Sequence, residues 1–300
     1  MEKSLFAELR GAGFRGDIQA NAPLAPLTTW RIGGPAELLA TPLDVEDAIL
    51  AVRWAHQYER PWRVLGNGSN LLVSDAGVRG LVLRIRKALD AVTIEGSKLV
   101  AGPGASFPAV ANAAAQRGLA GIEFGAGIPG SVGGAIVMNA GWHEFEIGNV
   151  VTAVRYLEAD GTVHERRRDA CRFGYRTSAF RGRRGIVLQA ELALTPDDPV
   201  AVKGRLLRFA ESRKANQPTE LPSCGSVFLK PEDDFAGRLI EAAGLKGARI
   251  GGIQVSEKHA NFFVNLGGGS SANALALVEL VERTVFEQFG VELTREFESW

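Results

Sequence analysis

The residues best suited to chemistry begin with the stretch Gly121–Gly141, GIEFGAGIPGSVGGAIVMNAG, with glycine at 121, 125, 127, 130, 133, 134 and 141 and mostly apolar residues between. Without a Cβ in the way, such a backbone can come within hydrogen-bond reach of a ligand. Successive N–H groups in a glycine turn form an anion-binding concavity, and a following helix N-terminus adds its dipole. The chemistry this suits is cradling a cofactor's phosphates, with Gly125, Gly127, Ile128, Pro129, Gly130, Ser131, Gly133, Gly134 and Ala135 as the candidate contacts. A tight turn between packed elements would use the same residues, so that reading stays open. A second loop, Gly66, Asn67, Gly68, Ser69, Asn70 and then Leu71, directly follows an expected strand and sets hydroxyl and amide groups beside bare backbone. Two such loops on α+β units point to one extended ligand such as a dinucleotide.

Gly125, Gly127 and Gly130 also spell G-x-G-x-x-G, the fingerprint of a Rossmann fold, which requires a strand before it, a helix opening within it and an acid about 20 residues later. Here Pro129 stands where that helix would begin, and Glu144 and Glu146 come too early and follow no second strand. The Rossmann assignment is rejected on context.

Arginines crowd one segment: 166, 167, 168, 172, 176, 181, 183 and 184. A solvated basic face accounts for most of them. Arg176 differs, because FGYRTSAF sets it among aromatic residues, and a shielded guanidinium wants an anionic partner. Ser226, in CGSVF, lacks the G-x-S-x-G elbow and any identifiable base, so a positioned proton donor suits it better than a nucleophile. The four histidines, 56, 143, 164 and 259, have no ligand spacing, and H-E-x-x-H and C-x-x-C are absent, so no metal site is expected; the P-loop motif is absent too, which excludes a P-loop nucleotide hydrolase.

These groups must be held by a chain of 300 residues, 46 % hydrophobic and 23 % charged, which describes an ordinary globular protein; its zero net charge argues neither for nor against a polyanionic partner, and with no recognised motif no nucleic-acid partner is expected. Glycine is the outlier, 36 residues against an average of about 7 %. The N-terminus mixes acids and bases, no run is long enough to span a membrane, and the cysteines are only Cys171 and Cys224, so a cytoplasmic protein is expected.

Residues 1–22 read as a short amphipathic helix and a connector. A strand over Ala36–Thr41 precedes a helix capped by Asp44, followed by strands at Trp62–Leu65, Leu81–Ile85, Ala91–Ile94 and Lys98–Ala101. Ser106–Arg117 is a helix closed by Gly118, and Asp160–Gly161 joins the hairpin Val151–Glu158 and Thr162–Arg166. Gly185–Leu194 is a strand, and Pro196–Pro199 marks a boundary. Beyond it come helices at Val200–Ala215, Phe235–Ala243 and Ser271–Phe289, with strands at Ile250–Ser256, Asn261–Leu266 and Glu292–Phe297. The expected class is α+β: residues 1–23 as helix and connector, 24–196 as two subdomains (about 24–90 and 91–196), and 197–300 as a further domain.

In series, the blocks TTWRIGGPAE, GNGSNLLVSDAGVRGLVL, GIEFGAGIPGSVGGAIVMNAG, FGYRTSAF, QPTELPSCGSVF, RLIEAAGLKGARIGGIQVSEKHANFFVN and GVELTREF cover nearly the whole chain. Together they resemble the UDP-N-acetylenolpyruvoylglucosamine reductase family. The resemblance implies that 24–196 is a non-covalent FAD-binding domain of the vanillyl-alcohol-oxidase/CO-dehydrogenase (PCMH) type and that the C-terminal unit binds a UDP-sugar. It also implies that NADPH and the enolpyruvyl sugar nucleotide use one pocket in turn, in a monomeric enzyme of peptidoglycan precursor synthesis. Carried over residue by residue, it makes Arg176, Ser226 and Glu296 catalytic: Arg176 holding the substrate carboxylate, a protonated Glu296 as a second electrophilic contact, Ser226 as proton donor. Tyr175, Arg213, Lys214, Lys230 and His259 would bind substrate. Glu296 enters through the resemblance alone. No tyrosine follows Tyr175, which matches the shorter class without a closing tyrosine loop, and Lys230 in L-K-P replaces the family's usual asparagine. A related flavin oxidase with another substrate is the rival; neither glycine loop has the His or Cys that often bonds flavin in such enzymes.

Overall fold

Where apolar residues recur at helical spacing, the helices form. The computed structural model describes residues 5–86 and 89–300. Its α-helices are α1 (Leu5–Gly11), α2 (Val45–Gln57), α3 (Phe107–Gln116), α4 (Val132–Met138), α5 (Pro199–Asn216), α6 (Ala236–Ala242) and α7 (Ser271–Phe289). The Asp44 carboxylate accepts the Asp47 N–H at 2.8 Å and starts α2, whose Ala48, Ala51, Val52 and Ala55 form one buried stripe. Ser270 caps α7 in the same way, Gly290 at φ +68° ends it, and Ala274, Leu277, Val278, Val281 and Val285 bury its stripe.

The chain forms two compact units. One comprises residues up to Ala22, Glu37–Asn67 and Arg79–Ser212; the other comprises Pro23–Ala36, Gly68–Val78 and Arg213–Trp300. In the first, strands Asp17–Pro23, Pro35–Thr41, Val78–Arg84 and Trp62–Leu65 pair in that order, the last two in parallel. A second sheet runs Val163–Arg167, Val151–Glu158, Gly185–Ala193, Lys98–Ala101, Val92–Glu95, antiparallel throughout. The Ile186–Leu188 run is apolar because both faces of its strand are covered. Val187 points into the core beneath α3 and α4, while Ile186 and Leu188 join the core of α2. The Asp160–Gly161 turn forms as expected, with Gly161 at φ +84° and the Glu158 N–H on the Thr162 carbonyl at 2.8 Å.

In the second unit, Ser223–Ser226, Phe262–Asn265, Ile253–Val255 and Arg249–Ile250 form an antiparallel sheet whose core includes Leu239 and Ile240 of α6 and the α7 stripe. A short parallel pair joins Glu298–Ser299 to Leu71–Leu72.

Several expectations need correction. The connector after α1 contains strand Asp17–Pro23; it ends its sheet and is mostly exposed, so it carries no apolar alternation to read. The strand expected over Ile250–Ser256 is broken by Gly251, which turns at φ +55°. The terminal strand is Glu298–Ser299 rather than Glu292–Phe297. Most of α5, expected to open the C-terminal domain, belongs to the first unit, because Val202 and Leu206 bury themselves in its core.

One buried carboxylate ties the first unit's N-terminal segment to α2. Asp47, 1 % exposed, accepts the N–H groups of Arg15 (3.0 Å), Gly16 (2.7 Å) and Leu43 (3.0 Å). Burial acts to raise its pKa, but these donors outweigh it and hold the carboxyl below its ordinary value. A depressed folded-state pKa contributes stability that is present above the unfolded value, about 3.9, and lost as pH falls through the folded one. Asp47→Asn is expected to cost roughly 1–3 kcal/mol at neutral pH, since the amide's NH₂ faces donors. It should also flatten the acid limb of the stability curve below about pH 4. Urea unfolding from pH 7 to pH 3 checks this; an unchanged acid slope would assign it to other carboxylates.

Candidate active site

Arg176 lies in the first unit, at the tip of a turn tight enough to force an unusual backbone. Gly174 and Thr177 exchange both N–H···O bonds at 3.0 Å, leaving only Tyr175 and Arg176 between them, and Arg176 takes φ +52°. Its Nη2 donates to the Gly141 carbonyl at 2.8 Å, its own carbonyl accepts Arg181 Nη1 at 2.8 Å, and its guanidinium lies 5.3 Å from the Tyr175 ring centroid. Arg176 is half-buried, as its aromatic setting suggested, whereas Tyr175 is exposed. The rest of the arginine cluster is mainly a solvated face: Arg167, Arg172, Arg183 and Arg184 are exposed, and Arg166 pairs with Glu158 at 2.6 Å.

Packing separates the glycines of the central loop into two kinds. A Cβ on Gly125 would meet the Phe107 ring at 2.9 Å, and one on Gly133 would meet Pro103 at 3.0 Å, so these two serve close packing. Ala135 turns into the core. The loop is stitched to the segment before α3 by Phe107 N–H on Gly130 O (3.0 Å), Val132 N–H on Ala105 O (2.8 Å) and Gly133 N–H on Pro103 O (3.0 Å). Gly127 closes a 3-10 turn whose Ile128 N–H bonds Gly125 O at 3.1 Å, and Pro129 is exposed beyond it. Gly66 and Gly134 are different. A Cβ on Gly66 would come within 2.8 Å of Ser131 Oγ, and the exposed Gly134 has nothing nearer than that same oxygen at 3.6 Å. Among the described residues the N–H groups of Asn67, Gly130 and Ser131 bond no protein acceptor. Bare donors beside Cβ-less backbone fit a cofactor's phosphates.

From Gly68 onward this loop belongs to the second unit. Gly68 sits at φ +58°, where a Cβ would meet Leu27 O at 2.7 Å, and Ser69 is half-buried. Asn70 ties the loop to the end of the chain, because its Nδ2 donates to Glu296 O (3.3 Å) and its carbonyl accepts the Glu298 N–H (3.0 Å). Leu71 is buried in the strand that follows.

Ser226 and Glu296 are neighbours in this unit. Gly225, at φ +84°, allows a bulge between Ser223 (opposite Val264) and Ser226 (opposite Phe262) that re-aims the serine. The next residue's carbonyl, Val227 O, accepts the Glu296 N–H at 2.8 Å, and Leu229 N–H bonds Thr294 O at 2.8 Å, so the two segments run as a pair. Asn261, buried and unmarked by any sequence motif, clamps this strand: Oδ1 accepts Phe228 N–H at 3.0 Å and Nδ2 donates to Phe228 O at 2.8 Å. Burial pushes the Cys224 thiol far up, so Cys224 is an inert filler rather than a thiolate.

The other expected substrate contacts also fall in the second unit. Arg213 and Lys214 end α5, and the Lys214 carbonyl takes a 2.7 Å bond from Lys258 Nζ. Lys230 Nζ lies 4.7 Å from the Phe235 ring centroid. His259 packs edge-on to Phe262 at 4.9 Å and its Nδ1 accepts the Asn261 N–H at 3.2 Å. Burial lowers its pKa, so near neutral pH it is an uncharged imidazole with its proton on Nε2. Among the described residues no group of three or more His, Cys, Asp or Glu could hold a metal ion, and no helix is long and apolar enough to cross a membrane.

A model of an FAD binding domain matches residues 36–166, and a model of the C-terminal domain of UDP-N-acetylenolpyruvoylglucosamine reductase matches 217–300. Alkyldihydroxyacetonephosphate synthase superposes at TM-score 0.50 over 65 % of this chain and 41 % of its own, at 17 % identity, a likeness of fold alone. Together with the glycine loops the two models define an FAD-dependent oxidoreductase carrying an additional α+β domain. The chain is 43 % identical to the UDP-N-acetylenolpyruvoylglucosamine reductase of Moorella thermoacetica over 99 % of its length and 97 % of that protein's, and 46 % identical to that of Rubrobacter xylanophilus over 91 % and 92 %. The reductase from Thermus caldophilus superposes with TM-score 0.82 at 37 % identity, covering 95 % of this chain and 99 % of that one. The chain belongs to the UDP-N-acetylenolpyruvoylglucosamine reductase family, as its sequence blocks implied.

Proposed function

We propose that this protein reduces UDP-N-acetylglucosamine enolpyruvate to UDP-N-acetylmuramate for peptidoglycan precursor synthesis, with NADPH as reductant and both substrates visiting one site in turn. The observation that carries the reading is the pairing of the Ser226 and Glu296 segments beside a bulge that re-aims the serine within its strand. FAD, when bound, supplies hydride taken from NADPH to the terminal methylene carbon of the enolpyruvyl group. The backbone donors at Asn67, Gly130 and Ser131 would hold its phosphates.

Hydride addition breaks the carbon–carbon π bond, and its electron pair moves toward the substrate carboxylate as an enol-like species. Arg176 binds that carboxylate and stabilises the charge as it grows, and Glu296, protonated, donates a hydrogen bond to it. Ser226 Oγ–H then delivers its proton to the carbon bearing the ether oxygen, completing the lactyl product, and solvent reprotonates the serine. Hydride plus proton balances the two-electron reduction. Tyr175, Arg213, Lys214, Lys230 and His259 bind the nucleotide sugar, with His259 contributing a neutral Nε2–H. We place the reaction in the cytoplasm, which the two free, buried cysteines support, and take the working form as a monomer.

The deciding experiment follows the visible spectrum anaerobically while NADPH and then the enolpyruvyl sugar nucleotide are added. Flavin absorbance should bleach with NADPH and return with the sugar nucleotide. Bleaching without return would leave the flavin site standing and move the substrate elsewhere.

A further inference from the structure

Arg176 does not hold its own position. Its turn rests on Asn139, which follows α4 with φ +45° and is 0 % exposed. The Asn139 amide is almost fully used: Oδ1 accepts the Gly148 N–H at 2.9 Å, and Nδ2 donates to Glu146 Oε2 at 2.7 Å and to Gly174 O at 2.9 Å. Gly174 O is the same carbonyl that closes the two-residue turn by accepting the Thr177 N–H. At the other end of the side chain, the Arg176 guanidinium bonds Gly141 O, two residues beyond Asn139. One amide thus fixes the base of the Arg176 turn relative to the segment that receives its tip. That segment follows directly from the central glycine loop through α4. Two further bonds brace the arrangement: Ser178 Oγ donates to Val137 O in α4 at 2.7 Å, and Arg168 Nε donates to Gly148 O at 2.9 Å.

We infer that Asn139 is a positioning residue for the reduction half of the cycle that consumes the enolpyruvyl substrate: through Gly174 it sets where the Arg176 guanidinium stands relative to the glycine loop. The inference rests on the reading of Arg176 as the carboxylate-binding group. A buried side chain with an acceptor and two donors committed to three partners on two segments, Glu146–Gly148 and Gly174, has no equivalent among smaller residues, and its removal leaves Gly174 O without a side-chain donor and Gly148 N–H unpaired. The turn then keeps its Gly174–Thr177 bonds but loses its anchor, so the fold persists while the guanidinium drifts. Displacement of a reacting or stabilising group by about 1 Å costs on the order of 10²-fold in rate.

The test uses FAD-loaded enzyme in separated half-reactions, with FAD affinity and the affinity of the oxidised enzyme for the enolpyruvyl sugar nucleotide measured alongside. Asn139→Ala is expected to leave FAD affinity and flavin reduction by NADPH nearly unchanged, to weaken binding of the sugar nucleotide, and to slow flavin reoxidation by it on the order of 10²-fold. Because Asn139 acts through Arg176, Asn139→Ala combined with Arg176→Ala should be no slower than Arg176→Ala alone. The exchanged pair Asn139→Asp with Glu146→Gln guards against a variant that fails to fold. It restores the hydrogen bond between those two positions with donor and acceptor interchanged, yet leaves Gly174 O without its donor, so it should bind FAD and still reoxidise slowly. Full recovery in the exchanged pair, additive losses in the double variant, or equal loss of both half-reactions would each overturn the positioning role. An Arg176→Ala enzyme that reoxidises at the normal rate would instead remove the reading of Arg176, and this inference with it.

Discussion

Ser226→Ala should leave flavin reduction by NADPH nearly intact and slow reoxidation by the enolpyruvyl sugar nucleotide by roughly 10²–10⁴-fold, the usual contribution of a positioned acid. The asymmetry follows from what each half-reaction needs. Hydride transfer from NADPH to flavin requires no proton at a substrate carbon, whereas protonation of the enol-like species requires a donor held at that carbon. The substitution is structurally mild, because Ser226 is held through backbone pairing with Phe262 and the bulge depends on Gly225 rather than on the serine side chain. Single-turnover spectroscopy of the two half-reactions is the check. Equal loss in both would point to a damaged strand and against the proton-donor role, and full reoxidation in Ser226→Ala would give that role to another group.

Arg176→Gly is expected to separate folding from catalysis. An L-residue in the left-handed region costs about 1–2 kcal/mol, which glycine does not incur. Against this, the variant loses the guanidinium's charge-assisted bond to Gly141 O, worth about 1.5–3 kcal/mol, and gains freedom in the unfolded chain, about 0.4–1 kcal/mol. The losses, about 2–4 kcal/mol together, exceed the gain of about 1–2 kcal/mol, so the holoenzyme should still fold but melt a few degrees lower. Reoxidation by the sugar nucleotide should nonetheless fall on the order of 10²–10³-fold, the effect of removing one charge-stabilising contact. Arg176→Lys keeps the charge but not the planar fork, so it should recover only part of that loss. Thermal unfolding of the holoenzyme and stopped-flow reoxidation measure the two quantities. A normal rate in Arg176→Gly would show that the substrate carboxylate is bound elsewhere.

Much of this was legible in the sequence, for identifiable reasons. The caps and stripes of α2 and α7 are local: a capping side chain and the N–H it accepts lie three residues apart, and the apolar spacing follows from the helix period. The same holds for the Asp160–Gly161 hairpin. The glycine loops stood out by composition, although composition could not tell the glycines that pack against Phe107 and Pro103 from those that leave donors bare. The family, its α+β class and its FAD dependence were carried by blocks of sequence whose order is itself information.

What sequence could not supply is whatever depends on residues far apart in the chain. Edge strand Asp17–Pro23 carries no apolar period, and Glu298–Ser299 is a strand only because Leu71–Leu72 lies beside it. The length of α5 was plain, but its membership in the first unit depends on which core takes Val202 and Leu206. Asn139 and Asn261 are ordinary asparagines in the sequence, and Asn70 stood out only as part of a glycine loop; among their partners are Glu296 for Asn70, Gly174 for Asn139 and Phe228 for Asn261, each at least 33 residues away. The sequence named the candidate side chains and determined the local elements, because capping, period and motif act over a few residues. Only the tertiary structure decided which amide holds which carbonyl, because a side-chain hydrogen bond depends on position in space, and its partner leaves no mark on the neighbouring residues.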